Sequence, residues 1–67
     1  MFYKIIDVLE FDQYESDFYT SKEKAIADCK SDFSALSEHD KNRRRAFYVA
    51  CFQDEEAIDH DIIFSAL

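Results

Sequence analysis

Apolar and polar residues alternate at both ends of this chain and fall at helical spacing in its middle. In residues 2–11, FYKIIDVLEF, Tyr3, Ile5, Leu9 and Phe11 share one face of an extended strand, with Asp7 as the exception. Phe2, Ile6 and Val8 make the other face apolar as well, broken by Lys4 and Glu10. A strand apolar on both faces belongs inside a sheet or under cover on two sides. Residues 12–19, DQYESDFY, show no clear period and read as a connection. Thr20 with Glu23 three residues on forms a capping box, and Ala25, Ile26, Cys29, Phe33 and Leu36 follow on one face. This predicts an amphipathic helix over 21–36. Ser37 with Asp40 predicts a further short helical turn through SEHDKN.

From residue 46 the period returns to two. Phe47, Val49 and Cys51 alternate with Ala46, Tyr48, Ala50 and Phe52, a strand pattern in which two alanines leave a helix open. The tail, DEEAIDHDIIFSAL, holds either a strand at 60–65 or a helix capped by Asp54, and bulky Ile62, Ile63 and Phe64 favour the strand. The prediction is an α+β fold, a single small domain over 1–67 with β-α-β-β order, one amphipathic helix packed on a mostly antiparallel sheet.

Composition narrows what such a domain does. At 67 residues it buries about 60% of its unfolded surface, which leaves little room for a walled substrate cavity. No enzyme is expected, and no catalytic, metal or cofactor residue is assigned. The chain has no Gly, so phosphate-cradling glycine loops are excluded, and with no Pro either, tight turns must use Asp, Asn or Ser. Cys29 and Cys51 read as reduced, buried thiols rather than a disulfide framework. Asp59, His60 and Asp61 are ligand types, but neighbours on a strand diverge and the calcium-loop pattern is missing. His39 has no nucleophile to serve. The longest wholly apolar run, 46–52, is far short of the roughly 20 residues of a membrane span, and Asp7 and Glu10 interrupt any leader-like start. A cytoplasmic protein with no membrane contact is expected.

Charge changes the picture most. The net charge is −7, yet Lys41, Arg43, Arg44 and Arg45 gather in KNRRR between two acidic segments. At a helix C-terminus they complement its dipole and pair with nearby acids, so they anchor the fold before they touch any partner. The acidic run EFDQYESDFY interleaves Glu10, Asp12, Glu15 and Asp17 with Tyr14 and other aromatics, and DEEAIDHD adds Asp54, Glu55, Glu56, Asp59 and Asp61. Carboxylates beside aromatic rings can present phosphate-like charge to a basic groove.

The short length, the charge of −7 and the runs EFDQYESDFY and FQDEEAIDHD resemble the small acidic inhibitors encoded by phages and mobile elements, anti-CRISPR and anti-restriction proteins among them, some of which imitate DNA. KNRRR departs from a uniformly negative mimic. The resemblance implies a non-enzymatic inhibitor that blocks the basic nucleic-acid channel of a CRISPR or restriction nuclease. No residue carries over from the resemblance by matching; the acidic runs themselves put the partner-binding residues at Glu10, Asp12, Tyr14, Glu15, Asp17, Asp54, Glu55, Glu56, Asp59 and Asp61, with no direct binding of nucleic acid. The alternative is a structural or assembly module that homodimerises through an apolar sheet face, with Tyr48, Ala50 and Phe52 at its centre.

Overall fold

A computed structural model describes residues 1–66. The fold is α+β: a four-stranded antiparallel sheet carries a long helix on one face, with a second, short helix beside it. The elements are β1 (Phe2–Leu9), β2 (Gln13–Glu15), α1 (Lys22–Ser34), α2 (Glu38–Asn42), β3 (Arg44–Gln53) and β4 (Glu56–Ser65). The sheet order is β2-β1-β3-β4, so the two long apolar strands β1 and β3 lie at its centre, as their two-faced patterns require.

Pairing of Tyr3 with Cys51, Ile5 with Val49 and Asp7 with Phe47 puts these residues on the face that α1 covers. Ala25 and Cys29, one helical turn apart and fully buried, are small enough to let the helix lie close to the strands. Ile5, Phe47 and Val49 meet them from the sheet, and Tyr3, Tyr19, Ile26, Phe33, Leu36, Ile63 and Phe64 pack around this centre. Phe33 stands between the layers, its ring centroid 5.5 Å from Phe47 and 4.9 Å from Phe64.

Several expectations are corrected. The stretch 12–19 is not only a connection. Gln13–Glu15 forms the edge strand β2, pairing Ile6 with Glu15 and Val8 with Gln13. Tyr3 and Tyr19 then exchange backbone hydrogen bonds of 2.8 and 2.7 Å, which hold the chain against β1 as it enters the helix. The cap of α1 is Ser21, not Thr20. Its hydroxyl accepts from the Lys24 amide at 3.3 Å, so Glu23 falls one position short of a capping-box partner and the helix starts one residue late. Phe11 does not share the β1 face. The strand ends at Leu9, and Phe11 projects from the turn with 91% of its surface exposed. Ser37 caps α2 as expected, accepting from the Asp40 amide at 3.1 Å.

The tail is a strand that begins at Glu56, four residues before the expected start, and no helix grows from Asp54. Asp54 instead opens the two-residue turn between β3 and β4 with φ of 57°. Hairpin turns of this length call for positive φ, and in a chain without glycine an aspartate adopts it.

The basic cluster lies where α2 hands over to β3. Arg44 grips Asp7 with two hydrogen bonds, Nε to Oδ1 at 3.1 Å and Nη2 to Oδ2 at 3.0 Å, and its Nη1 donates to the Asp40 carbonyl at 3.1 Å. The two side chains are only 13% and 17% exposed. Asp7, the polar exception on an apolar face, is thus the counter-charge of Arg44. Arg45 pairs with Glu10 at 3.6 Å, Arg43 with Asp40 and Lys41 with Glu38 at 3.9 Å each. Lys41 also lies 5.6 Å above the Phe33 ring, at the rim of the core.

Candidate binding surface

The face of the sheet opposite α1 has no helix over it. Phe2, Lys4, Ile6 and Val8 of β1 point there, opposite Phe52, Ala50, Tyr48 and Ala46 of β3, and β4 adds Ala57, His60 and Ile62. Its middle is closed by its own side chains. Ile6 is 2% exposed and Ala50 4%, although neither belongs to the core under the helix. Phe2 stacks on Phe52 with centroids 5.1 Å apart and planes 5° from parallel, while Phe18 approaches Phe2 edge-on at 6.1 Å. Tyr48 meets the His60 ring edge-on at 5.8 Å. Towards the margins the face is bare: Ile62 is 57% exposed, and Ile58, at a register shift in β4, is 47% exposed. Ile6, Tyr48, Ala50, Phe52, Ile58 and His60 help line a shallow groove of about 500 Å³.

Charge is nearly absent from this face. Lys4, a base, and Glu15, an acid, pair with each other at 3.4 Å while Lys4 lies 5.8 Å above the Phe52 ring. Alternation from the pairs Val49–Asp61 and Gln53–Glu56 turns those two carboxylates to the helix side of the sheet or its edge, while Asp59, beside the register shift in β4, borders the groove. On the helix side Asp61 reaches Lys22 of α1 at 3.4 Å and holds that ammonium's pKa above its ordinary value.

The acidic residues singled out from the sequence fall into two groups that the fold does not bring together. Glu10, Asp12, Tyr14, Glu15 and Asp17 line the β1–β2 hairpin and the segment after it, on one edge of the sheet. Asp54, Glu55, Glu56, Asp59 and Asp61 line the β3–β4 hairpin, on the other edge. The two hairpin turns also lie at opposite ends of the strands, because Leu9 pairs with Arg44 and Phe2 with Phe52. Glu10, Glu15 and Asp61 are further occupied by Arg45, Lys4 and Lys22. Asp12 accepts from the Tyr14 hydroxyl at 3.5 Å, and Asp59 accepts from the His60 amide at 2.8 Å. Among the described residues Asp12, Asp17, Asp54, Glu55, Glu56 and Asp59 form no ion pair. Sequence reading named Tyr48, Ala50 and Phe52 on the bare face but missed Phe18, Ile58 and Ile62. The alternation of Phe2, Ile6 and Val8 on β1 was the signal that this face extends beyond one strand.

Under the helix, two groups are held neutral. Tyr19 donates its hydroxyl to Asp28 at 2.8 Å, and this bond, with burial and the nearby carboxylates, pushes its pKa up to about 12. Burial, helped by the charges of Asp32 and Asp7, pushes the Cys29 thiol to about 12 as well, the opposite of what a nucleophile needs. Both shifts are upward, so the stability they carry is whole below the unfolded values of 9.0 and 10.0 and is lost as pH rises towards 12. Stability in thermal melts should therefore fall from pH 9, by about 1.4 kcal/mol per pH unit at most for Cys29 and by less for Tyr19, whose hydroxyl solvent screens more. In Cys29→Ala the decline between pH 9 and 10 should vanish, leaving the part that begins with Tyr19. A wild-type decline that Cys29→Ala leaves unchanged would refute this assignment.

Among the described residues no group of three or more His, Cys, Asp and Glu is placed to hold a metal ion, and no helix is long and apolar enough to cross a membrane. No family model, curated protein or solved structure matches the chain, so the resemblance to phage-encoded inhibitors gains no support from relatives.

Proposed function

We propose that this chain is a non-enzymatic protein-binding module of the cytoplasm whose working surface is the helix-free face of its sheet. One observation carries the reading: a chain of net charge −7 keeps one whole face largely apolar, with Lys4, Glu15 and Asp59 as the formal charges at its groove. Of the 15 carboxylates only Glu15 and Asp59 line the groove on that face, and contiguous apolar surface marks a contact site. Its aromatic centre, Phe2, Tyr48 and Phe52, has the composition of an interface core, with charge displaced to the rim. Two free thiols, Cys29 and Cys51, support a reducing compartment.

The reading as a nuclease inhibitor with an acidic surface rests, in this fold, on one end of the molecule. Asp54, Glu55 and Glu56 at the β3–β4 turn form its densest group of carboxylates without an ion pair, and the hairpin carrying Glu10 to Asp17 lies at the other edge of the sheet and cannot join them in one patch. A photo-crosslinking phenylalanine analogue, placed at position 62 or position 55 and activated in cells that express the chain, separates the two readings. Adducts from position 62 and none from position 55 are expected. Adducts from position 55 alone would move the working surface to the acidic turn and favour the inhibitor.

A further inference from the structure

We infer that the occupant of the helix-free face is a second copy of this chain, the two sheets stacking face to face about a two-fold axis. The inference rests on the reading of that face as the binding surface and adds the partner.

Charge is the first argument. A basic partner would be drawn to the unpaired carboxylates of the rim, Asp54, Glu55 and Glu56, more than to a face where Lys4 already neutralises Glu15 and Asp59 stands alone at the margin. Two copies that each carry −7 meet with least repulsion across the surface poorest in charge, and on this face Lys4 offsets Glu15 and leaves Asp59 at the margin as the one unpaired carboxylate of the groove. In an isologous pair each copy meets the same patch of the other, so an apolar patch poor in charge is its own complement.

Area is the second. The ten-residue strands β3 and β4 run about 33 Å, and three to four strands about 4.8 Å apart give a width of roughly 14–19 Å. Because β1 and β2 have only eight and three residues, one face offers about 490 Å² in flat projection, and a pair buries about 1,000 Å² before side-chain relief is added. A specific interface needs about 1,000 Å² in total. Shape agrees: Ala50 floors the groove between Tyr48 and Phe52, while Ile58 and Ile62 stand proud at the β4 margin as knobs for the opposite copy. Size supplies the motive, because a chain of 67 residues gains stability by burying a second apolar face.

The sign of the salt dependence separates this pairing from an acidic contact. Screening weakens repulsion between like-charged copies, so salt tightens the dimer, whereas it loosens an acidic surface on a basic groove. Sedimentation equilibrium of wild type, Ile62→Lys and Ile58→Lys, at about 50 mM and about 500 mM NaCl, tests it. Wild type should dimerise, several-fold more tightly in the higher salt. Each lysine variant should weaken the dimer at least tenfold while keeping the circular dichroism spectrum of the fold, since both side chains are about half exposed in the single chain. Glu55→Gln should not weaken it. A wild-type monomer at high micromolar concentration in both salts, a dimer that salt loosens, or a dimer indifferent to both lysines overturns the inference. If wild type is monomeric but position 62 still crosslinks to another protein, the second copy is wrong and the binding face stands. If it neither self-associates nor crosslinks there, both fail.

Discussion

Replacing Phe47 with alanine should leave the domain largely unfolded at 37 °C. Phe47 is 5% exposed, lies against Phe33 and belongs to the buried group that joins β3 to α1. Truncating a buried phenylalanine costs about 3–5 kcal/mol, because the lost transfer energy is joined by a cavity that the surroundings fill only in part. A domain of this length has in total about 3–10 kcal/mol of stability. Few other residues are fully buried under the helix, so little can collapse inward to fill the space. Circular dichroism melts of Phe47→Ala and Phe47→Leu check the point. The leucine should recover about half of the loss, and an alanine variant that melts within a few degrees of wild type would show that the core is not centred on this ring.

The second large effect concerns Asp7 and Arg44. Asp7→Ala strands a guanidinium that is 13% exposed and keeps only its bond to the Asp40 carbonyl. Breaking a fully buried pair costs about 3–5 kcal/mol, and the residual exposure of both partners brings the expectation down to about 2 kcal/mol. For a domain of this size that is a fall of about 8–16 °C in melting temperature. Asp7→Leu combined with Arg44→Met should be much closer to wild type than either single change, since the cost lies in leaving one charge buried alone. Additive losses in that double-mutant cycle would mean that the two side chains act independently.

That pair also shows where sequence reading reaches its limit. The alternation in FYKIIDVL marks a strand, and the spacing of Ala25, Cys29 and Phe33 marks a helix, because both signals are local periods that the backbone imposes. Asp7 broke the first pattern for a reason located 37 residues away, in an arginine that the sequence shows only as part of a basic run. β2 was not legible because Gln13–Glu15 is three exposed residues, with no apolar face to betray a strand, and its hydrogen bonds to β1 alone define it. Thr20 and Ser21 are both good caps, and the bonds between Tyr3 and Tyr19 set the point at which the chain turns into the helix. Asp54 takes a glycine-like conformation without being glycine, so nothing in DEEAIDHD announced the turn.

The candidate surface was half legible for the same reason. Two-faced apolar patterns in β1 and β3 implied that a small fold with one long helix would leave a face uncovered. They did not say which face, because that depends on Ala25 and Cys29 seating α1 over Ile5 and Val49 rather than over Ile6 and Ala50. The acidic runs were conspicuous in the sequence. Their separation was not, since it follows from the order β2-β1-β3-β4, which sends the two hairpins to opposite edges.

The central claim, that two copies of this chain meet through the helix-free face, is tested most directly by following its backbone amide resonances as its own concentration is raised. The account predicts shifts confined to Phe2, Tyr48, Ala50, Phe52 and Ile62, with Lys30 and Asp32 on the outer side of α1 unmoved. Shifts that gather instead at Asp54, Glu55 and Glu56, with the sheet face silent, would contradict it.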